Sequence, residues 1–435
     1  MKFLVHASLA LTIGGLGEAF STPIEQSSLL VNANGDLHRS VPEGFRSYRD
    51  LARVRLVGLA AKADVANKTP GVPTAVGVSR SEKIAALDQD KRFPAWEAVP
   101  GGFVVVFDIQ SVEAKRLRAG LSFSNVPPGT ELLVGENGRV PTDSLTYQQI
   151  KDSAGSSASI VWTPSTRGER QHIEVFVPGA TPPVDTRVSL VDVSHLYIDP
   201  FEPSSESLPE TGSKLLTCHQ NYSCLSDPEL VNAGRAVARM LVTSGDGTSY
   251  VCSGALLNDA GGVRRYFATA FHCIGDSAQA ASTQFGWFYE QSCGGSTISP
   301  NLVLTQGSQL LRADRNNDFS LVQVTGGIPQ GVSLLGWTSA ALSIGTRVDG
   351  IHHPAGVPKA TSSGLFVAKQ TASARLSAAD ILTVDANRVE WQIGNTEGGS
   401  SGSPLLTAGG QFRGTLSMGP SSPSCTGVRY SYYSD

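Results

Sequence analysis

The chain has 435 residues, a formal net charge of -4 and a sequence pI near 6.1. This length predicts two or three folded units, each large enough to bury its own core. Its 34 Lys and Arg residues are scattered among 38 Asp and Glu residues, so the sequence offers no basic surface for nucleic acid. These features exclude a single small module and a nucleic-acid-binding protein.

The N-terminus predicts export. Lys2 precedes a mostly apolar stretch that continues through Leu16, and small residues follow up to Ala19. This pattern is typical of a signal peptide, here residues 1–19, whereas the alternative is a buried N-terminal helix. No later apolar run reaches the roughly 18 residues of a membrane span. We therefore expect a secreted protein, extracellular or in transit through a periplasm, with no membrane attachment after cleavage.

Cysteine usage supports export and divides the chain. The first 217 residues contain no cysteine, and all six cysteines lie in the second half. An even number is compatible with three disulfides formed in an oxidising compartment. Zinc binding is the alternative, but the sequence has neither a CxxC pair nor an HExxH segment, so we expect no metal and no cofactor.

Residues 20–98 are only weakly periodic, and one helix is expected within them, around residues 79–87. Short apolar or alternating runs begin after this segment. Between residues 99 and 198, runs such as 173–177 are separated by turn residues such as Asn137-Gly138. This spacing predicts an antiparallel β-sandwich.

A linker is expected at residues 199–214, which are rich in Pro, Ser and Glu and poor in apolar residues. Such a segment is typically exposed and accessible to proteases, so a domain boundary belongs there. Residues 215–435 again show many short strands with Gly-rich turns, and nothing holds a helical period for long. The second half therefore predicts an all-β barrel architecture.

Three segments of the second half carry candidates for acyl transfer, which needs a nucleophile, a base, an orienting carboxylate and oxyanion donors. His272 follows an apolar strand and precedes Cys273, Asp318 begins another strand, and Ser401 lies in the small-residue loop 398–404. The alternatives are a structural histidine, a turn-forming aspartate and a flexible turn. The order His, Asp, Ser matches the chymotrypsin arrangement and not those of the subtilisins or α/β-hydrolases.

Residues 215–435 resemble the bacterial lysyl endopeptidases, a branch of the chymotrypsin-like serine proteases. The matching segments are Cys218 and Cys224, Cys252-Ser253-Gly254, and residues 269–273, 318–321, 351–354 and 396–404. The resemblance implies a chymotrypsin-like double β-barrel protease domain that cleaves protein or peptide substrates. Residues 20–98 and the sandwich at 99–198 would then form a propeptide, and we expect the enzyme to act as a monomer.

The resemblance also implies a role for each matching residue. His272 would be the general base and acid, Asp318 the orienting carboxylate and Ser401 the nucleophile. The amides of Gly399 and Ser401 would form the oxyanion hole. The implied disulfides are Cys218 with Cys425, Cys224 with Cys293, and Cys252 with Cys273.

Ser400 stands where trypsin has an aspartate that pairs with the newly freed N-terminus. Without that carboxylate, we expect activation to proceed without an N-terminal ion pair. The first half would instead assist folding and block the cleft until the linker is cut. Lys214 is the candidate cleavage site, since an enzyme that prefers Lys could cut there itself.

Specificity for Lys, or for Arg, is implied by two acids of the family's first specificity pocket, which match Glu397 and Asp435. A buried carboxylate favours a cationic side chain because an apolar one would leave the charge unpaired. Two positions depart from the family: Lys369 replaces a tryptophan and Ser417 replaces a histidine. His352 and His353 are adjacent on a predicted strand and would point to opposite faces, so we interpret them as structural.

The resemblance further predicts a strand and a terminal helix beyond Asp435, so the chain is either a fragment or a shortened homologue with an exposed barrel edge. A different class of function stays open at this point: a secreted binding or adhesion protein with a protease-like domain that does not turn over. A third possibility keeps the enzyme and retains the sandwich as a substrate-binding domain.

Overall fold

The computed structural model describes residues 25–26, 29–30, 44–46, 54–56, 73–87, 89–155, 160–202, 217–261, 264–295, 297–376, 380–420 and 423–434. Within these ranges, the helices are α1 (Ser81–Ala85), α2 (Gln89–Arg92), α3 (Tyr147–Ala154), α4 (Pro228–Gly234) and α5 (Ser277–Ser282). None of them is long and apolar enough to cross a membrane. The expected signal peptide and the candidate cleavage site Lys214 lie outside the described residues.

Strands dominate both halves of the chain. Those of the N-terminal half are β1 (Glu25–Gln26), β2 (Leu29–Leu30), β3 (Val54–Leu56), β4 (Thr74–Ser79), β5 (Glu97–Val99), β6 (Gly102–Ser111), β7 (Arg116–Phe123), β8 (Glu131–Gly135), β9 (Asp143–Leu145), β10 (Val161–Trp162), β11 (Thr166–Arg167), β12 (Arg170–Pro178) and β13 (Val188–Leu196). Those of the C-terminal half are β14 (Gln220–Asn221), β15 (Val237–Thr243), β16 (Thr248–Leu257), β17 (Tyr266–Thr269), β18 (Gln284–Trp287), β19 (Val303–Gln306), β20 (Ser308–Asp314), β21 (Phe319–Val324), β22 (Ser333–Leu334), β23 (Trp337–Thr338), β24 (Arg347–His352), β25 (Ala360–Arg375), β26 (Ile381–Ile393), β27 (Pro404–Thr407), β28 (Phe412–Met418) and β29 (Tyr430–Ser434).

The N-terminal sandwich consists of two sheets that face each other. One sheet has the order β3-β6-β12-β8-β9, and the other begins β10-β7-β13-β4. Apolar residues from both sheets, such as Val105, Val175, Leu121 and Leu190, share one buried cluster. The predicted sandwich is therefore confirmed, with one difference: β3 pairs parallel to β6, whereas the pairs within residues 99–198 are antiparallel.

The C-terminal half contains two β-structures. The middle sheet joins strands in the order β19-β18-β15-β16-β17-β21-β20 and packs around a core that includes Phe267, Phe285 and Trp287. The C-terminal ring joins β24-β25-β26-β29-β28-β27, and β27 pairs back onto β24. It is a closed barrel around residues such as Trp391 and Tyr433, so the predicted all-β barrel architecture is confirmed.

The final described strand lies where the sequence left two possibilities open, a fragment or a shortened homologue with an exposed barrel edge. In the structure, β29 pairs with β26 on one side and with β28 on the other. Residues Tyr430–Ser434 thus close the ring themselves. The backbone pairing satisfies the edges of β26 and β28 within the described residues.

The two halves share one continuous sheet, because β4 lies between β13 of the sandwich and β16 of the middle sheet. Gly77 allows this close approach, since a β-carbon there would lie 2.7 Å from the carbonyl oxygen of His195. No role could be assigned to β4 from the sequence, because its partners are distant in the chain and its apolar pattern is short.

The start of the predicted linker is anchored, which differs from the expectation of an exposed segment. Asp199 accepts a hydrogen bond from Nε of Arg116 at 2.9 Å, and Phe201 is only 1% exposed. The Phe201 ring packs against Gly286 of the middle sheet and beneath the guanidinium of Arg239. Burial of this aromatic ring anchors the segment, and linker residues 203–214 lie outside the described residues.

The structure pairs the cysteines as the resemblance implies: Cys218 with Cys425, Cys224 with Cys293, and Cys252 with Cys273. The Cys252–Cys273 disulfide joins β16 to the segment that follows β17. It therefore fixes the end of the strand that leads to His272.

Candidate active site

His272 and Asp318 meet at one end of two paired strands. β17 ends at Thr269, three residues before His272, and β21 begins at Phe319; the two strands are antiparallel, with Thr269 opposite Ser320. Nδ1 of His272 lies 2.9 Å from Oδ2 of Asp318, and the backbone N–H of His272 donates to Oδ1 at 3.0 Å. The Asp318 carboxylate is fully buried, and these hydrogen bonds replace those that it would otherwise make to water.

The opposite nitrogen of the His272 ring is not engaged. Nε2 is buried and has no hydrogen-bond partner in the described part of the chain. A carboxylate on Nδ1 fixes the tautomer that carries its proton there, which makes Nε2 the acceptor. This nitrogen is therefore able to take a proton from a neighbouring hydroxyl.

The loop that carries Ser401 packs against the strand end that leads to His272. The carbonyl oxygen of Ser401 accepts a hydrogen bond from the N–H of Ser253 at 2.8 Å. Gly402 has φ +79°, and a β-carbon there would lie 2.8 Å from the amide of Ala270. Only glycine tolerates both this conformation and this contact. These contacts place the Ser401 loop against the segment that leads to His272. The joint action of Ser401, His272 and Asp318 stays a prediction.

The C-terminal ring also contacts Asp318 and the Ser401 loop. Oγ1 of Thr415, on β28, lies 3.4 Å from the carbonyl oxygen of Asp318, and the N–H of Gly402 donates to Leu416 at 2.8 Å. The site consequently lies where the middle sheet and the ring meet. Two structural units therefore contribute contacts to Asp318 and to the Ser401 loop.

The amides of Gly399 and Ser401 are the donors assigned to an oxyanion hole by resemblance. Gly399 has φ +92°, and its carbonyl accepts a hydrogen bond from Oγ of Ser253 at 2.9 Å. The N–H of Ser400 instead donates to Glu397. Within the described residues, the amides of Gly399 and Ser401 donate to no protein group. Both donors are available to an external acceptor.

Ser400 is held by a buried histidine. Its Oγ lies 2.8 Å from Nδ1 of His352, whose Nε2 lies 3.0 Å from Oγ of Ser362. Burial, followed by the nearby charge of His219, holds the pKa of His352 well below its usual range. His352 is therefore neutral, and it fixes the residue beside Ser401.

His353 is also buried, and its Nδ1 lies 3.0 Å from the carbonyl oxygen of Val357. Burial holds its pKa well below the usual range as well. Among the described residues, no three His, Cys, Asp or Glu side chains are grouped to hold a metal. The structural interpretation of the two histidines fits these contacts, although the sequence did not reveal what His352 holds.

Glu397 is paired with His219 at a distance of 2.6 Å between Oε1 and Nε2, and both side chains are 6% exposed. The sequence pointed to Glu397 as a pocket acid but missed this partner, which follows Cys218 directly. Asp435 lies outside the described residues. Lys369 is exposed on β25, whereas Ser417 is buried on β28.

Family models match both halves of the chain. The model of the lysyl endopeptidase C-terminal domain matches residues 214–434, and that of the lysyl endopeptidase N-terminal domain matches residues 47–197. A lysyl endopeptidase of Pseudomonas aeruginosa is 33% identical over 405 residues, which cover 87% of this chain and 82% of the relative. The secreted RxLR effector protein 73 of Plasmopara viticola is 26% identical over 220 residues, 48% of this chain and 52% of that protein.

Among solved structures, the active form of the Rv3671c protease from M. tuberculosis matches 54% of this chain and 88% of that chain, with 13% identity and a TM-score of 0.35. The MamO protease domain from Magnetospirillum magneticum matches 47% of this chain and 93% of that chain, with 15% identity and a TM-score of 0.32. The family assignment depends on the sequence matches, which extend over both halves. The chain belongs to the lysyl endopeptidase family and is a serine endopeptidase.

Proposed function

We propose that this chain is the precursor of a secreted endopeptidase that uses Ser401 as nucleophile, His272 as general base and acid, and Asp318 as orienting carboxylate. The observation that carries the proposal is the His272 ring, which is bound to Asp318 through Nδ1, while its Nε2 has no hydrogen-bond partner in the described part of the chain. The hydrogen bond from Ser253 to Ser401 and the contact of Gly402 with Ala270 support the same arrangement.

The chemistry follows from these contacts. Oγ of Ser401 attacks the carbonyl carbon of the peptide bond while its proton passes to Nε2 of His272. Asp318 stabilises the imidazolium, and the amides of Gly399 and Ser401 donate to the oxyanion of the tetrahedral intermediate. His272 then gives the proton to the leaving amine, which departs and leaves an ester on Ser401. A water molecule, deprotonated by His272, hydrolyses that ester and restores the enzyme.

The proposed substrates are proteins and peptides cleaved after Lys or Arg. Glu397 lies four residues before Ser401, and its carboxylate is almost fully buried against His219. A cationic substrate side chain would compensate this buried charge, whereas an apolar one would not. Peptides that differ only in Lys, Arg, Leu or Glu before the cut test this specificity. A preference for Leu or Glu would contradict it.

The N-terminal half is proposed to act as a propeptide, removed by a cut in the linker at Lys214. Ser400, held by His352, supports activation without an N-terminal ion pair, since no carboxylate is present at this position to receive one. N-terminal sequencing of the secreted form tests the cut. Full activity of an intact chain would contradict it.

Labelling with a fluorophosphonate probe tests the central proposal, because the probe reacts with an activated serine. We expect the mature protein to be labelled and Ser401→Ala to be unlabelled, with an unchanged circular dichroism spectrum. A matched control is Ser403→Ala, two residues away in the same loop. A folded wild-type protein that stays unlabelled would instead favour a binding protein without catalytic activity.

A further inference from the structure

One edge of β16 has three successive partners. Residues Ala255–Leu257 pair with β17, the N–H of Ser253 donates to Ser401, and Thr248–Val251 pair with β4. The opposite edge of β16 is occupied by β15 along Ser249–Ala255. Without β4, the edge at Thr248–Val251 would be unpaired and would lie directly beside the Ser401 loop.

β4 begins at that loop. Thr74 is opposite Val251, and a β-carbon on Gly398 would lie only 2.5 Å from Oγ1 of Thr74. From there β4 runs antiparallel to β16, and Val78 is opposite Thr248. An extended strand of the N-terminal half therefore starts in contact with the segment proposed to stabilise the oxyanion and follows the free edge away from it.

We propose that β4 is the inhibitory segment of the precursor: Thr74–Ser79 occupies the edge of β16 that an extended substrate chain needs in order to reach Ser401. This inference rests on the proposed function and names the part of the propeptide that blocks the site. The occupant is the precursor's own strand, which uses main-chain pairing as other strand-addition complexes do.

The contacts at this edge extend beyond the paired residues of β4 and β16. The N–H of Ser79 donates to the carbonyl of Gly247 at 2.7 Å, and Oγ of Ser194 lies 2.6 Å from Oγ of Ser249. Val76 of β4 belongs to a buried cluster with Val251 of β16. The same cluster includes Phe201, at the anchored start of the linker, which stays with the N-terminal half after a cut at Lys214. Such a cut therefore leaves β4 in place.

The two halves also meet away from this edge. Arg118, fully buried on β7, donates from Nη2 to the carbonyl oxygen of Ser282, and Oγ of Ser165 donates to Oε1 of Gln284 at 2.7 Å. Inhibition should thus persist after the linker is cut and end when the N-terminal half dissociates or is degraded.

Thr74→Trp in the full chain tests the inference, with Lys214→Gln added to prevent cleavage of the linker. The larger side chain collides with the Gly398 segment and displaces the start of β4. The matched control is Val184→Trp, because Val184 lies in the same half and is 82% exposed. Thr74→Gly serves as a second variant that removes the contact without adding bulk. Mass spectrometry verifies that each precursor is intact.

We expect the fluorophosphonate probe to label the intact Thr74→Trp precursor at least about tenfold faster than the Val184→Trp precursor, with Thr74→Gly between them. Equal labelling of all precursors, while the mature form reacts rapidly, would overturn the role of β4 and leave the proposed function intact. A mature form that is never labelled would overturn the proposed function and this inference together.

Discussion

Nδ1 of the buried His352 lies 2.8 Å from Oγ of Ser400, the residue that precedes the proposed nucleophile. Ser400 also contacts the N–H of Glu397 through the same Oγ, at 3.2 Å. His352 therefore holds the turn that aims the amides of Gly399 and Ser401. Trypsin has an ion pair at this position, whereas this chain has a neutral hydrogen bond, which is present in the uncut chain.

Removal of this hydrogen bond should slow catalysis with little effect on binding. We expect His352→Leu to lower kcat about tenfold, which corresponds to about 1.4 kcal/mol of transition-state stabilisation, while KM changes little. His352→Gln, which retains a polar group near Ser400, should recover part of the loss. Steady-state kinetics on a Lys peptide measures both variants. Equal losses in kcat and in thermal stability for both would indicate a purely structural histidine.

Asp318→Asn should leave the fold intact and lower kcat by on the order of 10⁴-fold, as in the well-studied trypsin case. An amide donates where the carboxylate accepted, so it favours the wrong tautomer of His272 and cannot stabilise the imidazolium. Burst kinetics with an ester substrate measures the acylation step. Asp314→Asn, at the partly exposed end of β20, is the control and should retain wild-type activity.

Acid should destabilise the precursor in part through buried neutral histidines. Burial lowers the pKa of His195 to about 4, and His352 and His353 are shifted in the same direction. Below pH about 6.5 the unfolded chain binds protons that the folded chain does not, so stability is retained above that pH and falls below it. Each such histidine contributes about 1.4 kcal/mol per pH unit in that window.

Denaturant unfolding of the Ser401→Ala precursor at pH 7 and pH 5 measures this loss. His195→Gln has no proton to gain, so it should reduce the difference between the two pH values. If the stability of His195→Gln fell between pH 7 and pH 5 as much as that of the parent protein, the assignment of His195 as a buried neutral histidine would be contradicted.

Phe201→Ala should loosen the N-terminal half after the linker is cut. The ring is buried between the two halves, and truncation of a buried Phe costs about 3–5 kcal/mol. In a cut Ser401→Ala precursor, size-exclusion chromatography should show faster separation of the two fragments. Phe93→Ala is the control, because Phe93 is 41% exposed. Equal separation rates for the two variants would show that Phe201 is not an anchor.

The candidate catalytic residues could be proposed from the sequence because their signals are local. His272 follows an apolar strand, Asp318 precedes one, and Ser401 lies in a loop of small residues, so each was recognisable without knowledge of its neighbours. The resemblance then supplied the cysteine pairs.

Contacts between distant segments were not predictable in the same way. β4 has an ordinary short apolar pattern, and nothing in it specifies β13 and β16 as its partners. The pairing of His219 with Glu397 joins residues 178 positions apart. The closing role of β29 was missed because its pairing with two strands at once depends on the curvature of the ring.

The Cys218–Cys425 disulfide has a consequence for maturation. It ties the beginning of the C-terminal half to a loop 207 residues later, just before β29. A new terminus created a few residues before Cys218 would stay tethered by this disulfide, and Ser400 would offer it no carboxylate to pair with. Mature forms with ragged ends should therefore be equally active, in contrast to trypsin-like enzymes whose terminal residue must fit a pocket; activity measured across forms of different starting residue checks this tolerance.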